Sequence, residues 1–353
     1  MATVQSAPTT QVQAPAVEEK RIKLTPRRAQ ILWGYFFLIP WILGFFLFLL
    51  GPMIASLYLS MTDYNIQRPG ETDFIGTENY EKIFSLQVIR DSGDEVNFKP
   101  GYTEAFRIGS FHFGSRDHEV WKAIQVTLTF AIISLPVNLG LALFFALLTN
   151  TKVPGVRLFR TIYYLPSVIP AVVSATVFQQ FLRGQDGWLN VYLLSPLGLG
   201  KPEWLQEPSL AIPALTIIGT WGIGTTMLMF LAGLQNVPTE LYEAAEVDGA
   251  NYWSRFRNVT LPMISPVILY NLVIGLIGTF QYFVVAYVLT PRGAGGNDLA
   301  MYFYNLHLYR EAYVFFDMGY ASALAWILFI VVLIVTILVF RSSSRWVFYA
   351  GGK

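Results

Sequence analysis

Cysteine is absent from the 353-residue sequence, and charged residues are scarce. The absence of cysteine excludes disulfide bonds, thiolate metal ligands and cysteine nucleophiles. Charged residues make up 13% of the chain and hydrophobic residues 54%, whereas soluble proteins carry about 25% charged residues. Water is therefore not the main solvent predicted for this chain, and much of its surface must face lipid.

The residue patterns of several active sites are missing as well. The sequence has no G-x-x-x-x-G-K-[ST] loop to cradle nucleotide phosphates, so the chain is not predicted to be an ATPase. No serine, histidine and aspartate arrangement can be placed on one rigid element, so no catalytic residue is predicted. His112, His118 and His307 lie in polar segments without metal-ligand spacing and are predicted to be surface residues. We therefore expect no enzymatic activity, and no metal or cofactor bound by this chain.

Six charge-free apolar windows are each long enough to cross the bilayer as a helix. They lie within 28–63, 122–152, 160–183, 207–240, 257–292 and 317–341. Backbone amides in lipid must pair within their own segment, and these windows lack the alternation of barrel strands. The predicted fold is an all-α membrane bundle of six transmembrane helices. The first span, at 30–60, is expected to kink at Pro52.

The other segments follow from these spans. Residues 1–29 are predicted to form a disordered basic tail, 61–121 an external segment, 122–341 the transport core and 342–353 a C-terminal tail. A short amphipathic stretch is predicted at 78–84, and no task is assigned to 85–119. The link at 151–157 is short enough to make the second and third spans an antiparallel hairpin.

Basic residues are distributed unevenly between the two sides of the predicted bundle. Only Arg183, Lys201, Arg292 and Arg310 lie in the short loops opposite the termini. Long external segments count little in the positive-inside rule, which therefore predicts cytoplasmic N and C termini. Thirteen basic residues lie on the side of the termini: Lys20, Arg21, Lys23, Arg27, Arg28, Lys152, Arg157, Arg160, Arg255, Arg257, Arg341, Arg345 and Lys353.

The segment 238–258 is the one predicted cytoplasmic loop with a helical pattern of its own. Pro238 and Thr239 precede acidic residues, as at a helix start, and Asp248-Gly249 ends that helix. A second helical stretch is predicted at 250–258, before the fifth span. Small residues suited to close approach by another backbone recur at i, i+3 and i+4: Leu241, Ala244 and Ala245.

Composition alone leaves another interpretation of this loop open. It could be an interfacial amphipathic linker, with Trp253 and Phe256 at headgroup depth as aromatic anchors. The order of its residues favours a docking role. Glu243-Ala244-Ala245, Asp248-Gly249-Ala250, Phe256, Val259, Leu261-Pro262 and Pro266 resemble the "EAA" signature of permeases in binding-protein-dependent ABC importers.

In that family the loop forms coupling helices that seat in a cleft of the ATPase subunit. The resemblance implies that Glu243 pairs with a basic residue of the ATPase and that Gly249 permits the turn between the two helices. An acidic residue so early in a helix can also serve only to complement the helix dipole, for about 0.3–1 kcal/mol. The predicted ATPase-coupling residues are Glu243, Ala244, Ala245, Asp248, Gly249, Ala250, Phe256, Leu261 and Pro262.

The resemblance covers nearly everything from about residue 30 to 345 and points to the sugar-transporting branch of the family. It departs at 290–293, where a Gly-rich run is expected. The segments that carry it outside the loop are 51–52, 60–65, 74–76, 79–80, 159–161, 164–166 and 317–323. It implies a type I importer in the inner membrane of a prokaryote, with a second homologous permease, two ATPase subunits that bind ATP and magnesium, and an extracytoplasmic solute-binding protein.

The same resemblance places substrate contacts in the third, fourth and fifth spans. The predicted substrate-path residues are Ser167, Trp221, Gly222, Thr279, Gln281 and Tyr282. Each of these residues could equally serve ordinary packing within the bundle, and the same holds for Asn138 and Asn271.

Two other functions remain possible at this point. An ion-coupled carrier usually places ionisable residues inside the bilayer, and these spans have none. A membrane scaffold would tolerate substitutions at Glu243 and Gly249 without loss of solute uptake. An uncharged, hydroxyl-rich cargo fits a path lined by neutral polar and aromatic residues, which favours ATP-driven import of a sugar by alternating access.

Overall fold

The computed structural model describes residues 26–90, 98–151 and 153–349, and these residues form two compact units that divide between Ala55 and Ser56. Most of the predicted N-terminal tail and the last four residues lie outside the described part. Residues 26–29, which were assigned to that tail, already belong to a helix.

The chain begins with one apolar helical run. Helix α1 spans Pro26–Phe45, a π-helical turn follows at Phe46–Leu50, and α2 spans Gly51–Leu59. Pro52 has no amide hydrogen to donate to the preceding turn. A wider turn immediately before a proline relieves that mismatch, so the predicted irregularity at Pro52 takes the form of a π turn.

The segment 61–121 contains a small sheet that the sequence did not predict. Helix α3 spans Glu78–Phe84, the predicted amphipathic stretch, and is followed by β1 (Leu86–Arg90), β2 (Thr103–Ile108) and β3 (Phe111–Ser115). The strands pair antiparallel in the order β1-β3-β2, with an irregularity between Glu104 and Phe106. The all-α prediction therefore holds for the spans but not for this segment.

Helix α4 spans His118–Thr149 and begins at an aspartate cap, where the Val120 amide donates to Asp117 Oδ1 at 3.0 Å. At its other end, Arg160 Nη2 donates to the Thr149 carbonyl at 2.7 Å. Arg160 lies on α5 (Val156–Tyr164), so this bond ties together the two helices of the predicted hairpin.

The third and fourth spans are broken, whereas the sequence predicted continuous helices. A short turn at Leu165–Val168 follows α5, and α6 (Ala171–Phe181) then leaves at 100°. Helices α7 (Pro208–Trp221) and α8 (Gly224–Gln235) meet at 56°. Pro170 precedes α6 and Gly222 ends α7, and both residue types favour such interruptions.

The chain continues with α9 (Thr239–Val247), α10 (Tyr252–Arg255), α11 (Leu261–Phe280) and α12 (Val284–Leu289). Two further helices, α13 (Tyr304–Tyr313) and α14 (Met318–Ser343), complete the described chain. Within the described residues, four helical runs are long and apolar enough to cross a membrane, at Trp33–Leu59, His118–Thr149, Tyr252–Leu289 and Met318–Ser343. With each bent pair counted as one span, the total is six, as predicted.

The second unit packs around three clusters of buried side chains. One surrounds Phe130 of α4 and Leu215 of α7, and another joins Ala142 of α4 to Phe230 of α8. A third unites Ile83 of α3 with Tyr320 of α14. The outward side chains of α14 stay exposed, including Ile330, Ile334 and Leu338, and in a membrane such a surface faces lipid.

Candidate coupling site and membrane cavity

Helix α9 ends in a glycine-based Schellman motif. Gly249 has φ +75°, a left-handed conformation that glycine adopts at little cost. The Gly249 amide donates to the Glu246 carbonyl at 3.0 Å, and the Ala250 amide donates to the Ala245 carbonyl at 2.9 Å. These two bonds satisfy the last carbonyls of the helix and turn the chain sharply toward α10. The turn predicted at Asp248-Gly249 is therefore present.

The second helical stretch, predicted at 250–258, is helical from Tyr252 onward and is continuous with α11. Asn251 caps α10 by accepting from the Ser254 amide at 2.8 Å. A π turn at Phe256–Thr260 then leads directly into α11, whose first residues are Leu261 and Pro262. Since Pro262 cannot donate to the preceding turn, the wider π turn lets the helix continue through it.

Two polar contacts hold the arms of the loop together. Tyr242 on α9 shares a hydrogen bond of 2.9 Å with Thr260 Oγ1, and Arg255 Nη1 lies 3.3 Å from Glu246 Oε2. Within the second arm, the Trp253 and Phe256 rings stack at 5.4 Å. The loop is therefore braced by its own side chains.

The outer side of the loop is open. Glu243, Ala244, Asp248 and Gly249 are exposed, and Val247 is 88% exposed. The structure brings the predicted coupling residues Glu243 to Ala250 together on one turn, whereas Phe256, Leu261 and Pro262 are half-buried where α11 begins. An exposed valine and exposed small residues beside a carboxylate form a surface that another protein can cover.

A cavity of about 240 Å³ lies between α4, α7 and α11. Of the predicted substrate-path residues, Gly222, Thr279 and Tyr282 line it. Asn138 and Asn271, which the sequence left undecided, line it as well. Asn138 donates from Nδ2 to Ser134 Oγ at 3.0 Å, while its buried Oδ1 has no partner within the described residues. Neutral polar side chains therefore line the cavity, and one of them carries a buried acceptor without a partner among the described residues.

The other predicted path residues lie elsewhere. Trp221 lines a separate apolar cavity of about 670 Å³ with Phe178, and the two rings meet edge-on at 5.7 Å. Ser167 donates to the Tyr164 carbonyl at 2.7 Å in the break of the third span. Gln281 ends α11, and its carbonyl accepts from Asn305 Nδ2 at 3.3 Å. The structure thus separates these three residues from the three that line the cavity.

A buried polar cluster joins the starts of α4 and α14 to α13. His307 Nε2 lies 3.2 Å from Asp117 Oδ2, and Tyr320 donates to the same oxygen at 2.6 Å. His307 Nδ1 lies 3.0 Å from the Tyr302 hydroxyl, which donates to Glu119 Oε2 at 2.8 Å. The three contacts made by the two carboxylates span 183 to 203 residues of sequence, so no local pattern indicates them.

The prediction that the histidines are surface residues is wrong for two of them. His307 is 1% exposed and His112 is 7% exposed, and His118 alone is an exposed residue. Each buried ring meets a carboxylate, His307 that of Asp117 and His112 that of Glu104 at 2.8 Å. Burial of a polar ring requires such partners, and these come from distant segments or from a paired strand.

The pKa values of several groups in this cluster are shifted from their ordinary values. Burial alone would raise the pKa of Asp117, but hydrogen bonds and charge from His307, with Tyr320 and the Val120 amide, hold that pKa well below its usual range. Burial raises the pKa of Glu311, opposed by His307 and Lys82. Burial and the neighbouring Glu119 raise the pKa of the Tyr302 hydroxyl. Asp117, His307 and Glu311 each have one oxygen or nitrogen of a type that can bind a metal ion, and these three atoms lie within 4.8 Å of one another. The sequence spacing did not predict this proximity.

Known proteins resemble this chain over most of its length. The probable ABC transporter permease protein YesP of Bacillus subtilis is 36% identical over 323 residues, covering 91% of this chain and 94% of that protein. The trehalose/maltose transport system permease protein MalF of Thermococcus litoralis is 30% identical over 321 residues, covering 89% and 94%. Both relatives therefore match the chain almost from end to end.

The fold has a counterpart among solved structures. A chain of a bacterial alginate ABC transporter, crystallised in complex with alginate pentasaccharide-bound periplasmic protein, aligns with a TM-score of 0.71. That chain is 24% identical, and the alignment covers 90% of this protein and 96% of that chain. The family described as "Binding-protein-dependent transport system inner membrane component" matches residues 138–348, which include the coupling loop and most of the cavity lining. The protein therefore belongs to this family and is a membrane-embedded permease subunit of a binding-protein-dependent ABC importer.

Proposed function

We propose that this permease carries a sugar or sugar-like solute delivered by an extracytoplasmic binding protein, together with a second homologous permease and two ATPase subunits. ATP and magnesium are bound by the ATPases, and this chain takes no part in catalysis. The named relatives support the substrate class, since they include permeases for arabinooligosaccharides, trehalose/maltose and lactose. The proposal also places both termini in the cytoplasm of a prokaryote, in line with the positive-inside rule.

The exposed turn between α9 and α10, which contacts between its own side chains stabilise, is the observation that supports the ATP-driven mechanism. Glu243 and Ala244 are exposed on it, and the arm after the turn is continuous with α11. A partner protein that binds this surface and moves it would therefore move the fifth span directly. Closure of the ATPases would push the loop, open the spans outward and admit solute, and ADP release would reverse the movement.

The cavity between α4, α7 and α11 is the proposed resting place of the solute. Its polar groups are neutral, which suits hydroxyl groups better than ions, and Asn138 Oδ1 has no partner among the described residues. Gly222 and Tyr282 line it, so the break in the fourth span borders the cavity. A change in the angle between α7 and α8 would alter the shape of the cavity, as alternating access requires.

A substitution at Glu243 can distinguish a role in coupling to the ATPase from a role in stabilising α9. If Glu243 contacts the ATPase, Glu243→Gln should lower sugar-stimulated ATP hydrolysis by the reconstituted importer about tenfold or more, the cost of losing a charge-assisted contact. Glu240→Gln is the matched control, because Glu240 lies in the first turn of α9, where the dipole acts most strongly.

An equal loss in both variants would favour the dipole role and contradict the coupling role. Uptake by vesicles that contain this permease pair and an ion gradient, without ATPase subunits, would instead support an ion-coupled carrier. A permease importer should take up no sugar until ATPase, ATP and binding protein are all supplied.

A further inference from the structure

A further cavity, of about 480 Å³, lies outside the coupling loop and the two cavities described above. Its walls are the end of α6, the segment before α7 and the loop after α12. In the proposed topology these segments are extracytoplasmic. The volume falls within the range of about 300–1,000 Å³ that is usual for small-molecule sites.

The walls are held in place by one buried amide. Asn190 is completely buried, and its Nδ2 donates to the carbonyls of Gly184 at 2.7 Å and Pro202 at 2.9 Å. Its Oδ1 accepts from Trp204 Nε1 at 2.9 Å. Both polar atoms of this amide group therefore fix the two segments on either side of the cavity.

Glu203 is a cavity side chain whose hydrogen bonding is incomplete. It is half-buried, yet within residues 26–90, 98–151 and 153–349 no group donates to its carboxylate. A β-carbon on Gly184 would overlap this carboxylate, so glycine permits the close approach of the two segments. The Glu203 side chain lies on the cavity lining, where the hydroxyl groups of a ligand would supply donors in place of water.

Arg183 lines the same cavity without neutralising Glu203. Its Nη1 lies 3.3 Å from Asp186 Oδ2 instead. In the cavity, the Arg183 guanidinium is therefore already paired with Asp186, and the Glu203 carboxylate still has oxygen lone pairs that can accept hydrogen bonds. Such a charge pattern disfavours an acidic sugar and leaves Glu203 free to accept from neutral hydroxyls.

The third wall is a conformationally strained loop. Arg292, Asp298 and Leu299 have φ of 53°, 50° and 52°, in the left-handed region that residues other than glycine seldom occupy. Asn297 Nδ2 donates to the Gln206 carbonyl at 2.9 Å and ties this loop to the opposite wall. Strain of this kind persists where surrounding structure fixes it, and it is common at ligand clamps.

We infer that this cavity is an outer subsite that holds one unit of a neutral sugar before it enters the membrane cavity, with Glu203 accepting hydrogen bonds from its hydroxyl groups. The inference rests on the proposed transport of sugars. It adds a position on the path and a preference for neutral over acidic cargo. Gln179 and Gln206 supply amide groups on the same lining.

Thiol labelling can test the subsite, because the chain has no cysteine of its own and one introduced thiol reports a single position. Gln206→Cys places a thiol in the cavity lining, and Ser209→Cys places one on the exposed first turn of α7 as the matched control. Both are labelled with a maleimide in the complete reconstituted importer. Maltose, lactose and arabinotriose are the neutral probes, and a hexuronosyl-hexose disaccharide is the acidic one.

A transported neutral sugar should slow labelling of Gln206→Cys about tenfold at roughly ten times its Kd, and it should leave Ser209→Cys unchanged. Adding Glu203→Gln should raise the sugar concentration needed for protection about tenfold, since a charge-assisted acceptor is lost. Glu207→Gln, on the same segment but outside the lining, should not change it.

Two results would overturn the subsite alone. One is normal uptake of a neutral sugar that never protects Gln206→Cys, and the other is equal protection by the acidic disaccharide. If the unmodified importer shows no sugar-driven ATP hydrolysis or uptake with any probe, the proposed function and the subsite fail together.

Discussion

His307 Nε2 lies 3.2 Å from Asp117 Oδ2, joining α13 to the cap of α4 across 190 residues of sequence. The other ring nitrogen lies 3.0 Å from the Tyr302 hydroxyl, whose single proton goes to Glu119. Arg310 Nη1 also donates to this hydroxyl at 3.2 Å. The ring is therefore one of several groups that link the Asp117 side chain to Glu119.

Removing this ring should destabilise the protein. His307→Phe keeps an aromatic ring but leaves the buried Asp117 carboxylate without its main partner, so we expect a loss of about 3–5 kcal/mol. Thermal unfolding in detergent measures the change. His118→Phe is the matched control, since His118 is exposed and should change the unfolding temperature little. Equal effects of the two substitutions would contradict the role of the buried pair.

Glu311 should make stability depend on pH with a sign that can be tested. Its folded pKa is raised by burial, so its contribution to stability is present below its ordinary pKa and is lost as pH rises through the folded pKa. Glu311→Gln should therefore raise the unfolding temperature near neutral pH. The gain should vanish below about pH 4, where the unfolded carboxyl is protonated too.

Asp117 should behave in the opposite sense. Its folded pKa is lowered, so its stabilisation is present above its ordinary pKa and is lost as pH falls through the folded pKa. Asp117→Asn should lower the unfolding temperature at neutral pH, and the difference from the unmodified protein should shrink only below about pH 4. A constant difference between pH 7 and pH 3 would contradict this assignment.

Gly249→Ala should weaken coupling through backbone strain alone. A β-carbon at this position would meet no neighbouring atom within 4 Å, so the cost is the positive φ, about 1–2 kcal/mol. We expect reduced sugar-stimulated ATP hydrolysis with little change in the amount of folded protein. Gly140→Ala, in the interior of α4 with the same open surroundings, should be neutral or stabilising. Milder loss in Gly249→Asn would support the backbone explanation, because asparagine tolerates the left-handed conformation.

A substitution at Asn138 should lower sugar uptake without lowering the stability of the protein. Its buried Oδ1 lacks a partner among the described residues, a condition that costs about 1–3 kcal/mol. Asn138→Leu should therefore leave the unfolding temperature equal or higher while lowering sugar uptake. Ile132→Leu, on the exposed side of the same helix, is the control. Uptake that survives Asn138→Leu unchanged would remove this residue from the proposed path.

The spans and the coupling turn were predictable, because hydropathy and Gly249 are local properties of the sequence. The breaks at Pro170 and Gly222 were not, since proline and glycine within an apolar run bend a helix to an extent that neighbouring helices decide. Gly224 illustrates this, because a β-carbon there would press against the backbone of Tyr163.

The buried histidines were missed for a related reason. Their partners come from other elements, and burial cannot be inferred from the polar residues beside them. The sequence marks Asp117 as a helix cap, and the i, i+4 spacing places His307 and Glu311 on one helical face, but neither pattern indicates that His307 is buried. The sheet at β1–β3 gave no comparable signal beyond its turn-forming residues.

The continuity of α10 with α11 sets the scale of any movement transmitted through the chain. From Tyr252 to Phe280 the chain is continuously helical over roughly 40 Å. A tilt of about 10° that pivots at Tyr252 would displace Thr279 by roughly 7 Å. The non-helical residues between Phe280 and Val284 interrupt the span, so α12 need not follow this movement, and the pathway can widen at one end of α11 while the other end keeps its shape.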